Sequence, residues 1–243
     1  MTNEAYIWNK LMDEFGNPNG VAGLMGNLMA ESGLNPQNLQ NSGNKALKLT
    51  DEEYTENVDS GKYSKTKFCY DKFGYGLAQW SSRTRKDALY RFAKNFRGSI
   101  GDLDTQVGFL IHELICSYPG VHKTILNAKS VREASDFVLM NYEKPADQST
   151  KVQKKREKMG LDIFDRNYKT HKRFVKVNRV SVNVRSLPEK GASTLGYLYK
   201  GDTIEYDGAT VNGWHRIKWI DILNNGESSG WVTGKYTSII EDS

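Results

Sequence analysis

Hydrophobic positions follow a helical period through the first 170 residues and a period of two after them. Ile7, Trp8, Leu11, Met12 and Phe15 fall on one helical face, which Gly16 ends. Leu24, Leu28 and Glu31 follow at i, i+4 and i+7, so an acidic side chain closes an otherwise apolar stripe. Gly23, Gly26 and Ala30 form a second stripe on that helix, small enough for another backbone to pack close. The turn Asn17-Pro18-Asn19-Gly20 starts the helix and Gly33 stops it. Leu89, Phe92, Ala93 and Phe96 predict a further helix, and Leu103, Val107, Leu110, Ile111 and Leu114 a long, central one. Ser130 and Glu133 form a capping box ahead of Ala134, Phe137 and Val138. Residues 34–74 break the pattern: they are polar, rich in Asn, Gly, Lys and Tyr, with one short helix capped by Thr50 and Glu53.

Beyond residues 166–173 the alternation begins. Val180, Val182 and Val184 alternate with polar residues, as do Ile204 and Tyr206. Lys200-Gly201-Asp202, Asn212-Gly213 and Asn224-Asn225-Gly226 are turn signals at short spacing, which predicts a small β-barrel. Val182-Asn183-Val184-Arg185-Ser186, Gly201-Asp202, Asn212-Gly213-Trp214 and Gly230-Trp231-Val232, in that order, resemble a bacterial SH3 domain over about residues 174–240. The resemblance implies binding to cell-wall peptidoglycan. Tyr197, Tyr199, Trp214, Trp219 and Tyr236 are candidates for an aromatic groove, and each reads equally well as core.

The candidate chemistry lies in two short stretches. One is Glu31-Ser32-Gly33-Leu34-Asn35-Pro36; the other is Gly74-Tyr75-Gly76-Leu77-Ala78-Gln79-Trp80, a Gly-rich aromatic turn carrying a single amide. A carboxyl at an apolar edge holds its proton to higher pH, which is what the general acid of glycosidic cleavage needs. Both stretches, followed by Phe109-Leu110-Ile111-His112-Glu113-Leu114, Ser130-Val131-Arg132-Glu133-Ala134-Ser135 and Asn141-Tyr142-Glu143-Lys144-Pro145, resemble the phage tail lysozyme family. They are more distantly similar to the Glu-Ser and Gly-Leu-Met-Gln motifs of lytic transglycosylases. The resemblance spans about residues 4–166 and implies a mainly α lysozyme-like domain, with 34–74 as an irregular or β lobe opposite the catalytic helix. It makes Glu31 the catalytic acid and expects Tyr75 and Gln79 to line the sugar groove; Ser32 and Glu143 are further candidates for contact with the strand.

The second carboxylate stays open. Asp51, Glu52, Glu53, Glu56, Asp59 and Asp71 lie between the two stretches, and Glu113 and Glu143 follow them; Asp71, nearest the glycine turn, is preferred. A transglycosylase needs no such partner, because the sugar's own 6-hydroxyl attacks. The expected organisation is a glycosidase domain at 1–166, a linker at 167–173 and an SH3 domain at 174–243. The expected reaction is cleavage of the β-1,4 bond between N-acetylmuramic acid and N-acetylglucosamine. A wall-binding protein with a dead lysozyme fold would not need Glu31 and Gln79.

Composition narrows the partners. The chain has 243 residues, 38% hydrophobic and 26% charged, and a net charge of +5. That charge is dilute, +3 over residues 1–170 and +2 over 171–243, and no nucleic-acid-binding motif accompanies it. Lys151, Lys154, Lys155, Arg156 and Lys158 read as one solvated helix face, or as attraction to anionic wall polymer. No apolar run approaches the ~20 residues of a membrane span. Met1-Thr2-Asn3-Glu4 carries no signal-peptide pattern. His112-Glu113 is followed by Cys116 where a zinc pair needs histidine, so no metal or organic cofactor is implied. Cys69 and Cys116 are expected as free thiols. The combination resembles a phage endolysin: a monomer made in the host cytoplasm, acting on the glycan strands and stem peptides of a Gram-positive wall after release.

Overall fold

A computed structural model of the chain describes residues 1–169, 173–221 and 226–241. They form two compact units, Met1–Asn167 and Tyr168–Ser243. Ten α-helices build the first: α1 (Asn3–Phe15), α2 (Pro18–Ser32), α3 (Asn41–Leu47), α4 (Asp51–Asp59), α5 (Lys65–Tyr70), α6 (Arg83–Asn95), α7 (Leu103–Ser117), α8 (Pro119–Asn127), α9 (Val131–Val138) and α10 (Thr150–Phe164). A π-helical turn, Leu139–Glu143, extends α9, and another, Asp165–Lys169, extends α10.

The central helix is α2, not α7. Every residue from Gly20 to Leu28 is buried, and α1, α8, α9 and α10 pack around it, while α7 packs against α1, α6 and α8. Asn17 caps α2, its side chain accepting from Asn19 N, and Gly33 ends it at φ 62°, both as the sequence predicts. The stripe of small residues explains the crowding. A methyl on Gly23 would stand 2.5 Å from Ala134 Cβ, and one on Gly26 2.5 Å from Arg156 O and 2.6 Å from Gly160 N. Glycine inside a helix costs about 1 kcal/mol against alanine. The close approach of α9 and α10 offsets it, and brings residues from the far end of the unit beside Glu31.

Residues 34–74 differ from the expected β or irregular lobe. They hold three short helices, and their β character is confined to the isolated bridge Leu39↔Tyr75. The Thr50–Glu53 capping box on α4 is complete. At α9 only half of the predicted box forms: Ser130 caps Glu133 N, whereas Glu133 Oε2 accepts from Lys129 N. The expected linker at 167–173 is partly helical, since the turn Asp165–Lys169 runs into it; residues 170–172 lie outside the described residues.

Among the described residues, seven antiparallel strands form the second unit: β1 (Arg173–Val177), β2 (Ser181–Arg185), β3 (Thr194–Tyr199), β4 (Thr203–Val211), β5 (Trp214–Asp221), β6 (Gly226–Thr233) and β7 (Thr237–Glu241). Their spatial order is β3-β2-β6-β5-β4-β1-β7. Val175, Val182, Val184, Leu198, Tyr206, Ile217 and Val232 join one core cluster. Strands sit about 4.8 Å apart, so a flat sheet would hold β3 and β1 some ~24 Å from each other. Their sharing of one core requires the sheet to curl, as the alternating pattern predicts. Asn212 and Gly213, both at positive φ, join β4 to β5 in the two-residue hairpin their sequence signals, with Val211 paired to Trp214. The predicted turn at Asn224-Asn225 lies outside the described residues.

Candidate active site

Glu31 stands in the last turn of α2 with its side chain 21% exposed. Its Oε1 accepts from Arg156 Nη2 at 2.5 Å, and Arg156 Nη1 donates to Asn27 Oδ1 at 3.1 Å. Arg156 is therefore not part of a solvated basic face. It is buried, and it turns inward because α10 meets α2 at Gly160, one helical turn further on.

Ser32 joins the two predicted stretches. Its hydroxyl lies 3.1 Å from Leu28 O and 2.9 Å from Leu77 O, tying the end of α2 to the glycine turn. The turn closes on itself through Tyr75 N–H to Trp80 O and Trp80 N–H to Tyr75 O. Gly76, at φ 76°, lies so close to Gln106 that a methyl would stand 2.5 Å from its Oε1. Gln79 adopts a left-handed φ of 44°, and its Nε2 donates to Asn38 O, Asn38 Oδ1 and Gly76 O. Tyr75 is fully buried, with its hydroxyl 2.6 Å from Thr55 Oγ1. Tyr75 thus supports the turn from beneath, and Ser32 and the Gln79 amide hold it in shape; the expectation that Tyr75 lines a sugar groove does not fit its burial.

Glu143, at the end of the π-helical turn, is the other carboxyl beside Glu31. Its Oε1 is buried with no hydrogen-bond partner among the described residues. Burial, and then the charge of Glu31, push its pKa up to about 8 against the opposing pull of Arg85 and Arg156. Next to it runs a closed network. Arg85 grips Glu113 through Nε at 2.7 Å and Nη2 at 2.9 Å, and Glu113 Oε2 also accepts from Trp80 Nε1 at 3.0 Å and Tyr142 OH at 2.7 Å. Burial alone would raise the Glu113 carboxyl; Arg85, helped by the Tyr142 and Trp80 donors, outweighs it and holds it below the usual range.

Asp71 is committed elsewhere. Its Oδ1 accepts from Lys86 Nζ at 2.5 Å and Phe73 N at 3.1 Å; its Oδ2 accepts from Tyr54 OH at 2.5 Å and Tyr63 OH at 3.3 Å. Lys86 is fully buried, and the cluster shares no residue with the Glu31–Arg156 pair. The remaining acids between the two stretches are similarly placed. Asp51 accepts from Leu39 N and Asn44 Nδ2, Asp59 from Ser99 and Ile100 N, and Glu53 serves its capping box, while Glu52 and Glu56 are exposed on α4.

In the second unit the five aromatic candidates separate. Trp214 and Tyr236 line a groove of about 400 Å³. Tyr197 and Tyr199 are exposed on β3. Trp219 packs against the core and covers Gly196, where a methyl would stand 2.6 Å from its ring.

Against known families, the model for phage tail lysozyme matches residues 2–166, more than half of the chain. The chain belongs to the phage tail lysozyme family. A bacterial SH3 domain model matches residues 180–238. No curated protein matches the chain. The two domains, in this order, are those of an endolysin-like enzyme that degrades peptidoglycan, and a lysozyme-like domain of this family points to glycoside hydrolase or lytic transglycosylase chemistry.

Within this lysozyme-like domain Glu143, with its Oε1 buried, has a measurable consequence. The unfolded chain releases that proton near the ordinary glutamate value, about 4.5, and the folded one near about 8. Between the two the folded state binds more protons, so stability is full below about 4.5 and is lost as pH rises through about 8. From pH 5 to 8 wild type should lose on the order of a few kcal/mol of stability relative to Glu143→Gln, read as a falling melting temperature. Parallel melting curves for the two proteins would rule out a carboxylic acid held neutral there.

Proposed function

We propose that the lysozyme-like domain cleaves the β-1,4 bond between N-acetylmuramic acid and N-acetylglucosamine, with Glu31 as general acid. The observation that carries this reading is the placement of Glu31 at the end of α2, held by Arg156, beside the turn that Ser32 ties to that helix. Burial, and then the charge of Glu31, let Glu143 keep its proton near neutral pH. Arg156 orients Glu31, the partly exposed carboxyl, and Glu143, with its Oε1 buried, holds the reserve proton. Glu31, supplied with a proton by Glu143, protonates the glycosidic oxygen as the bond to C1 breaks. Water then adds to C1 and returns a proton to the Glu31 carboxylate. The SH3 domain keeps the enzyme on the wall while this proceeds.

A second reading is supported by the acids themselves. Asp51, Asp59, Asp71 and Glu113 are each taken up by donors within the fold. A reaction that uses the sugar's own 6-hydroxyl as nucleophile needs none of them. Mass spectrometry of digested walls separates the two readings. Hydrolysis should leave reducing N-acetylmuramic acid ends. Products lighter by one water, with 1,6-anhydro termini, would replace the hydrolase with a lytic transglycosylase, and intact glycan with cut peptides would overturn both.

A further inference from the structure

The outward face of β2 forms the floor of the groove in the SH3 unit. Val182 and Val184 point to the core, so the alternation turns Ser181, Asn183 and Arg185 the other way. Four cations line this groove: Arg179, Arg185, Lys190 and Lys235. Its lining contains no carboxylate, and none of the four takes part in an ion pair among the described residues. The groove is also ordered. Arg179 lies over the Tyr236 ring at 4.2 Å, with Lys235 5.5 Å from the same ring. Arg185 Nη1 donates to Ala192 O at 2.7 Å, which fixes its guanidinium at the groove wall.

We infer that this groove binds a phosphodiester-linked anionic polymer of the cell wall. The inference rests on the reading that the SH3 unit anchors the enzyme to the wall, and names what it holds there. Guanidinium groups present paired donors that match phosphate oxygens, and lysines add point charges along the chain. A wall peptide is the weaker match. Its carboxylates come with the ammonium of a diamino acid, and the groove offers that ammonium no anion. A polyol phosphate brings only negative charge, hydroxyls and C–H surface. The cations, the Ser181 and Asn183 side chains, and the faces of Trp214 and Tyr236 answer those three in turn.

The test is cosedimentation of the full-length protein on ice with two wall preparations. One is untreated; the other has its phosphodiesters removed by hydrofluoric acid, with glycan and peptides left intact. Affinity should fall at least about tenfold on the stripped walls. Soluble poly(glycerol phosphate) should displace the enzyme from untreated walls, and polyglutamate of equal charge should not. The double variant Arg179→Gln/Lys235→Gln should bind untreated walls no better than wild type binds stripped ones. The charge-keeping variant Arg179→Lys/Lys235→Arg, checked by the same melting curve, should retain most of the binding. Equal binding to both wall preparations, or equal displacement by polyglutamate, would overturn the phosphate assignment and leave the wall anchor standing. Failure to bind either preparation would overturn both.

Discussion

Glu31→Gln is expected to cut the rate of wall lysis by at least about 10²-fold while the chain still folds. Glutamine has the shape of glutamate, and its amide oxygen can still accept from Arg156 Nη2, which lies 2.5 Å from Glu31 Oε1. What it lacks is a transferable proton. Alanine would confound the result, because it leaves a buried guanidinium with Asn27 as its remaining partner, and breaking a buried pair costs about 3–5 kcal/mol. For glutamine two effects nearly cancel. A neutral acceptor weakens a charge-assisted bond by about 1 kcal/mol. Removing the Glu31 charge relieves the repulsion it imposes on Glu143. The melting temperature should therefore move by no more than ~2–4 °C. Turbidity loss on purified walls, read beside the melt, decides the case. A variant that melts normally and keeps activity within about tenfold of wild type removes Glu31 from the mechanism.

The parts of this site legible in the sequence are those set by local rules. Asn17 and Gly33 bound α2 because a cap is satisfied within a few residues, and the Gly23/Gly26 stripe marks the face where a neighbour must approach. Which neighbour approaches is a long-range fact. Arg156 lies 125 residues from Glu31 in the chain and inside a run of cations, so its charge alone resembles a solvated face. A signal was present nonetheless: Gly160 sits four residues after Arg156, on the same helical face, and a small residue there marks contact with another helix. The three helices between residues 34 and 74 are too short, at six to nine residues, to show a period. Tyr75 belongs to a turn whose glycines let it fold inward onto Gln106, which hides an aromatic that in sequence resembles a surface platform. In the SH3 unit the alternation is readable, and its parity also separates the two tryptophans of β5. Trp214 and Trp219 are five residues apart on β5, so they face opposite sides: one lines the groove and the other covers the core.

Asp71→Asn is expected to cost about 3–5 kcal/mol, because it leaves the Lys86 ammonium buried without its anion. For a chain of this size that is a fall of roughly 10 °C or more in melting temperature. Activity would fall with it, and that fall alone could not distinguish a catalytic carboxylate from a structural one. The double variant Asp71→Asn/Lys86→Met does distinguish them. It removes both charges, and an apolar side chain of similar length fills the space beside the Tyr54 and Phe68 rings, over which the Lys86 ammonium lies. Replacing a buried ion pair by well-packed neutral groups is often close to neutral for stability. The asparagine oxygen can still accept from the hydroxyls of Tyr54 and Tyr63. If Asp71 only holds the fold beneath the glycine turn, the double variant should regain both its melting temperature and most of its lytic rate. If Asp71 is the second carboxylate of a hydrolase, the double variant should melt like wild type and remain at least about 10²-fold slower. The four donors already bound to Asp71 favour the first result. They leave it no free oxygen with which to activate water or attack a sugar, which supports the proposal that the proton chemistry rests elsewhere.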